Sequence, residues 1–151
     1  MAEKTIKQDI RSFAQDLHLM NTIYEQYATS VNLPYTSLQI LNLLTEIKDC
    51  TQKIICEATF LPKQTVNTII MSFYKKGLIK LIEKPEDRRA KLIVLTEAGE
   101  AFVNQIIPKI RKAEYEAMKT LTDEERKSFL KGMHLYCAMF EKIMKGEEED
   151  D

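Results

Sequence analysis

The stretch Leu61-Pro62-Lys63-Gln64-Thr65-Val66-Asn67-Thr68-Ile69-Ile70-Met71-Ser72-Phe73-Tyr74-Lys75-Lys76-Gly77, with the runs 78–84 and 91–99 that follow it, decides the fold. Val66, Ile69, Ile70 and Phe73 recur at the spacing of one helical face. Pro62 suits the first helical turn, where proline's missing N–H is not needed. Lys75-Lys76-Gly77 closes the helix, with cations that suit its dipole and a glycine that suits a left-handed C-cap. After Gly77 the period changes. Residues 78–84 and 91–95 are short runs rich in Leu, Ile and Val, and Pro85-Glu86-Asp87-Arg88-Arg89-Ala90 between them is polar and punctuated. That predicts a β-hairpin with a charged tip.

Upstream, Thr51 predicts the cap of a short helix from Gln52 to about Thr59, with Ile54, Ile55 and Ala58 facing in and a turn at Phe60-Leu61. Helix, turn, helix and hairpin in this order read as a winged helix-turn-helix, whose second helix enters the major groove of DNA. Thr36 or Ser37 is expected to cap the preceding helix. That helix carries Leu38, Ile40, Leu41, Leu43, Leu44 and Ile47, is apolar on most of its circumference, and belongs in the core.

The flanks are helical too. Ile6, Ile10, Phe13, Leu17, Met20, Tyr24, Tyr27 and Val31 alternate steps of 4 and 3 until Asn32-Leu33-Pro34 ends the run. A helix of roughly 26 residues is about 39 Å long, longer than a domain of this mass needs to cover its own core. A second copy of the chain is the expected partner for its first turns. Downstream, Thr96 caps a helix with Phe102, Ile106, Ile110 and Ala113 on one face and a kink expected at Pro108. Thr122 and Glu125 form a capping-box pattern ahead of Phe129, Met133, Tyr136, Phe140 and Ile143. The acidic tail, residues 146–151, is expected to fray.

Composition narrows the function. At 151 residues, 44% hydrophobic and 30% charged, the chain is an ordinary single globular domain rather than a disordered one. No run of about 18 apolar residues exists to span a membrane, and Met1-Ala2-Glu3-Lys4-Thr5 leads to no apolar run, so no signal peptide is expected. A cytoplasmic protein with its three cysteines, Cys50, Cys56 and Cys137, reduced is therefore expected. The formal charge of −1 conceals a segregation: residues 1–47 carry −2, residues 48–91 carry +5 and residues 92–151 carry −4. A basic middle between acidic ends points to a polyanionic partner. No Ser/His/Asp grouping, glycine-rich phosphate loop or paired carboxylates stand out, so no enzyme and no cofactor are expected.

Residues 61–70 and 74–79 resemble a recognition helix of the multiple-antibiotic-resistance regulator (MarR) family. The wing is closer still: Asp87-Arg88-Arg89 resembles that family's Asp-x-Arg tip, and Leu95-Thr96-Glu97-Ala98-Gly99 its Leu-Thr-x-x-Gly strand end. The resemblance covers roughly residues 5–145. It implies a mainly α fold with a β-hairpin wing: one chain, 1–151, with the winged helix-turn-helix over 36–99 and dimerisation helices over 1–33 and 100–145. It also implies a homodimeric transcriptional regulator, a repressor of a pseudo-palindromic duplex operator that answers to a small molecule or stress signal. One departure is that members often carry arginine on the recognition helix where this chain has Thr68 and Ser72. Fewer cations there mean fewer phosphate contacts, and a helical interaction module that has kept the fold without operator binding is the competing reading.

With Val66, Ile69, Ile70 and Phe73 inward, Gln64, Thr68, Met71 and Lys75 point away from the core, flanked by Thr65 and Asn67. Gln and Asn can bond an adenine edge, and Thr a base or a thymine methyl. Lys63 is expected on phosphate, as are Thr51, Gln52 and Lys53 at the preceding helix start. By the resemblance Arg89 enters a narrow minor groove, Asp87 holds the loop or orients that guanidinium, and Arg88 meets the backbone. Ile6, Ile10, Phe13, Leu17, Phe129, Met133, Tyr136 and Phe140 are expected in the dimer core. Met20, Tyr24, Tyr27 and Tyr35 are candidates to line a pocket for a small aromatic ligand, with an aromatic core as the plainer reading. His134 and Cys137 lie i, i+3 on one face of the last helix, where a dimer could bring two such pairs together as a four-ligand metal site, with simple packing as the plainer reading and no metal expected. Redox sensing through a cysteine is a further alternative, although the family's reactive cysteine lies near the N-terminus, where this chain has none.

Overall fold

The structure, a computed structural model, describes residues 2–146. The acidic run 147–151 lies outside the described residues. Six helices and two strands follow in the order α1 (Ala2–Ser30), α2 (Tyr35–Glu46), α3 (Gln52–Thr59), α4 (Lys63–Lys75), β1 (Ile79–Glu83), β2 (Lys91–Leu95), α5 (Glu97–Lys119) and α6 (Asp123–Met144). They fall into two compact units, Met1–Ile107 and Pro108–Asp151. The fold is mainly helical with a two-stranded antiparallel wing.

The first unit has one apolar core. Leu38, Ile40 and Leu41 of α2, Ile55 of α3, and Val66, Ile70 and Phe73 of α4 meet Ile79 and Ile93 of the hairpin and Val103, Ile106 and Ile107 of α5, with Ala28 and Leu33 closing one end. Burying each such side chain contributes about 1.5–3 kcal/mol. The core therefore fixes α4 and the wing against each other.

Local chemistry explains the element ends. The Thr51 hydroxyl accepts from the Ile54 amide at 3.3 Å, and Gly77 takes φ +70° where α4 stops. Thr51 and Cys50 also join the hairpin: Thr51 bridges Leu92, and the Ile93 amide donates to the Cys50 carbonyl at 2.8 Å. Ile79 to Glu83 pair with Leu95 to Lys91 in register. Thr96 fastens the base of the wing. Its amide donates to the Leu78 carbonyl at 3.0 Å, its hydroxyl donates to the Gly77 carbonyl at 2.6 Å, and the same hydroxyl accepts from the Gly99 amide at 3.0 Å. Gly99 belongs to this clasp because a Cβ there would stand 1.9 Å from the Leu78 carbonyl oxygen.

Three details differ from the sequence expectation. Neither Thr36 nor Ser37 caps α2: Pro34 does so without a side-chain bond, its carbonyl accepting from the Ser37 and Leu38 amides. A proline that ends one helix thus starts the next, its extended backbone serving both. Pro62 is likewise the N-cap of α4 rather than its first residue. Ala58 and Ala113 are exposed, and Val103 and Ile107 complete the buried face of α5. As expected, Pro108 lies inside α5.

Three non-glycine residues have positive φ: Asn32, Asp49 and Phe60. Asn and Asp enter this region comparatively readily. For phenylalanine the left-handed backbone costs roughly 1–2 kcal/mol.

In the second unit, Thr122 and Glu125 close a reciprocal capping box at the start of α6. The hydrogen bonds from Thr122 hold the Glu125 carboxyl below the usual carboxylate range.

Candidate nucleic-acid interface

A cleft of about 660 Å³ lies between the α3–α4 pair and the wing. Its rim holds Thr51, Gln52 and Lys53 from the start of α3, Lys63 and Asn67 from α4, and Asp87, Arg89 and Lys91 from the wing; its floor holds Ile70, Leu81 and Ile93. Four cations thus stand around one concavity, with the Asn67 side chain, of a type that can bond a base edge, beside them.

The helix pair positions these groups. Lys63, Asn67, Ile70 and Met71 follow the i, i+4, i+7, i+8 rule down the side of α4 that faces the wing. Met71 is half-buried on that side, where the sequence expectation had it pointing away. Gln64, Thr68 and Lys75 are exposed and do not line the cleft, and Thr65 is half-buried. The Thr68 hydroxyl donates to the Gln64 carbonyl at 2.9 Å, which leaves its oxygen as an acceptor. Gln52 donates through Nε2 to the Lys63 carbonyl at 3.1 Å and so locks the two helix starts together.

Lys53 reaches Glu57 at 3.8 Å in an exposed i, i+4 pair. Such a pair is worth little in water, so the ammonium is readily available to a phosphate. In the wing, the Asp87 carboxylate accepts from the Arg89 backbone amide at 3.0 Å. It shapes the tip through the main chain and makes no ion pair with the guanidinium among the described residues. Arg88 and Arg89 are exposed at that tip.

Lys91 was missed at the sequence level. It is the first residue of β2, and Lys91 and Ile93 both line the cleft. Alternation back from buried Ile93 is the signal that could have found it. Cys56 is half-buried and also lines the cleft, Cys50 is buried with its thiol pushed up by desolvation, and Cys137 is exposed; all three are free. No group of three or more His, Cys, Asp or Glu side chains suited to a metal ion occurs among the described residues. No helix among them is long and apolar enough to cross a membrane.

The helix stripes at the two ends hold many exposed apolar side chains. Ile6 is 59% exposed, Ile10 53%, Phe129 48% and Phe140 54%; Leu17 and Tyr136 are also exposed, and Phe13 and Met133 are half-buried. Leu19 and Ile23 on α1 and Leu130, Leu135 and Met139 on α6 widen these apolar surfaces. In the candidate ligand region, Tyr24 stacks on Tyr35 with ring centroids 5.3 Å apart. Tyr27 donates its hydroxyl to the Ile106 carbonyl at 2.6 Å, its phenol pushed up by burial, and Met20 is exposed. Tyr27 thus has a structural partner already.

A three-helix core carrying a second helix and a basic hairpin on one side defines a winged helix-turn-helix of the kind that transcriptional regulators present to duplex DNA. Residues 31–90 match the model of the MarR family. The chain is 30% identical over 110 residues to the HTH-type transcriptional repressor NicR of Pseudomonas putida, spanning 72% of this chain and 68% of that one. Its fold is similar to that of a MarR family regulator from Neisseria meningitidis, with a TM-score of 0.79 at 25% identity over 93% of this chain and 99% of that one. It is also similar in fold to a MarR family transcriptional regulator from Streptomyces coelicolor solved in complex with DNA, with a TM-score of 0.74 at 18% identity over 87% and 84% of the two chains. The chain belongs to the MarR family of transcriptional regulators.

Proposed function

We propose that this regulator is a cytoplasmic homodimer that represses transcription by binding a pseudo-palindromic operator, and that a small molecule or stress signal relieves it. The observation that carries the reading is the cleft itself. Lys53, Lys63, Arg89 and Lys91 surround a concavity between a recognition helix and a hairpin tip, with Gln52 and Asn67 beside them. Lys63 and Lys53 meet phosphates. Gln64, Asn67, Thr65 and Thr68 read base edges in the major groove, and Arg89, on a loop held by Asp87, enters the minor groove. Arg88 takes the flanking backbone, and the α3 start at Thr51 lies against a phosphate.

Homodimer formation is supported by the apolar residues that α1 and α6 leave in water. An uncovered surface of this kind on a soluble protein marks an interaction site, and two-fold pairing is the commonest way to cover it. An effector would sit against the Tyr24–Tyr35 stack, with Met20 and Tyr27 beside it. A repressor role is supported by the likeness to NicR.

Selection of bound duplexes from a random pool tests the proposal. The expected product is an inverted repeat with half-site centres one helical turn, about 10–10.5 base pairs, or a multiple apart, bound with an affinity that falls steeply with salt. A pool without enrichment, or binding indifferent to salt, would overturn it in favour of a helical interaction module without an operator.

A further inference from the structure

Phe60 occupies the turn between α3 and α4 with its side chain 90% exposed and its backbone at φ 57°, ψ 16°. Both features work against it in the free protein. The left-handed backbone clashes with a Cβ that glycine lacks, and an aromatic ring in water gains nothing from burial. Its amide caps α3 by donating to the Cys56 carbonyl at 2.9 Å, a bond that any non-proline residue would make. Nothing in the folded protomer therefore accounts for a phenylalanine here. The position does. Phe60 stands two residues ahead of Pro62, the N-cap of α4, and three ahead of Lys63 on the cation-lined cleft. This is the end of the recognition helix that a helix-turn-helix directs at base edges. Glu57 and Lys63 flank it three residues to either side, but the cleft that begins at Lys63 also carries Lys53, Arg89 and Lys91, so the surface covering the ring is a polyanion with apolar groups of its own. Thymine C5-methyls in the major groove are such groups, and phenylalanine is a suitable contact for them.

We infer that Phe60 is a DNA-reading side chain that covers thymine methyls where the start of α4 enters the major groove. The inference rests on the operator-binding function proposed above and adds a base preference to it. The turn holds the ring out of the core, and contact with DNA removes it from water.

The test uses the full-length protein, the duplex enriched by selection, and the same duplex with every thymine replaced by uracil, which removes only the methyls. Phe60→Gly relieves the backbone and should raise the melting midpoint by about 2–4 °C while weakening binding to the thymine duplex about tenfold. Phe60→Asn, which also tolerates the left-handed region, should weaken binding alike. Uracil substitution should cost the parent protein several-fold more than it costs either variant. A variant that binds the thymine duplex as tightly as the parent, or a uracil penalty equal in parent and variants, overturns the inference. So does loss of binding accompanied by loss of the dimer in sedimentation, which would seat Phe60 on a second copy instead. If the parent protein enriches no duplex at all, it is the proposed function that fails.

Discussion

Gly99→Ala is the sharpest test of how the wing is fastened. On helix propensity alone the change is favourable by at most about 1 kcal/mol, since alanine is the better helix former and Gly99 lies in the first turn of α5. Packing opposes it. The new Cβ would stand 1.9 Å from the Leu78 carbonyl oxygen, 2.9 Å from its carbon and 3.2 Å from Leu95 Cδ2. Ordinary carbon contacts lie near 3.5–4 Å, so backbone must retreat by more than 1 Å. Overpacking of this kind costs about 1–3 kcal/mol. The retreat also strains the three Thr96 hydrogen bonds to Leu78, Gly77 and Gly99, each worth about 1 kcal/mol. The net expectation is a loss of roughly 3 kcal/mol, or a fall in melting midpoint of roughly 6–12 °C. Urea denaturation followed by circular dichroism measures it. Thr96→Val, which removes the hydroxyl with little change of shape, isolates the hydrogen-bond share at about 1–2 kcal/mol. A Gly99→Ala protein as stable as its parent would refute the clasp.

At the wing tip, Arg89→Ala should lower the log–log salt slope of operator binding by about 2 per dimer, from roughly 0.9 per phosphate contact and two wings; titration at several salt concentrations that leaves the slope unaltered would remove the wing from DNA. On α4, Gln64→Ala should relax one operator position by about 1–3 kcal/mol while Lys63→Ala weakens all duplexes alike, a split that competition with random DNA reads directly. Removal of residues 1–12 should dissociate the dimer in sedimentation and lower operator affinity with it. In the native protein near neutral pH, Cys56 and Cys137 should react with an alkylating reagent while Cys50, buried and with its thiol pushed up, reacts only on unfolding; fast native labelling of Cys50, seen by peptide mass, would count against its core position.

What could be read from the sequence was local. Thr51, Gly77, Thr96 and the Thr122–Glu125 box satisfy backbone groups within a few residues, so the elements they bound were visible as residue types in order. The cap of α2 was misread as Thr36 or Ser37 because Pro34, which ends the α1 run as expected, also starts α2, a second role that only the Ser37 and Leu38 amides on its carbonyl show. The cleft needed more. Placing Lys91 and Cys56 beside Lys63 requires the hairpin register and the packing of α3 on α4, neither of which a one-dimensional pattern contains. Asp87 shows the same limit at one side chain: the Asp-x-Arg motif brings carboxylate and guanidinium together in sequence, but the bond goes to the Arg89 amide.

The proposed division between the DNA face and the end helices gives their variants different signatures. A change at Lys63, Gln64 or Arg89 removes a contact with one half-site and should weaken a single half-site and a paired operator through the same interaction. The apolar residues of α1 touch no DNA in this reading. They hold two reading heads at a fixed spacing, so that after the first half-site is bound the second binds at a high effective concentration. Shortening α1 should therefore leave single half-site affinity nearly intact while paired-site affinity collapses toward it. The ratio of the two affinities then reports dimer integrity on its own. A truncated protein that weakens on both duplexes in proportion would place residues 1–12 in the reading head rather than in the dimer.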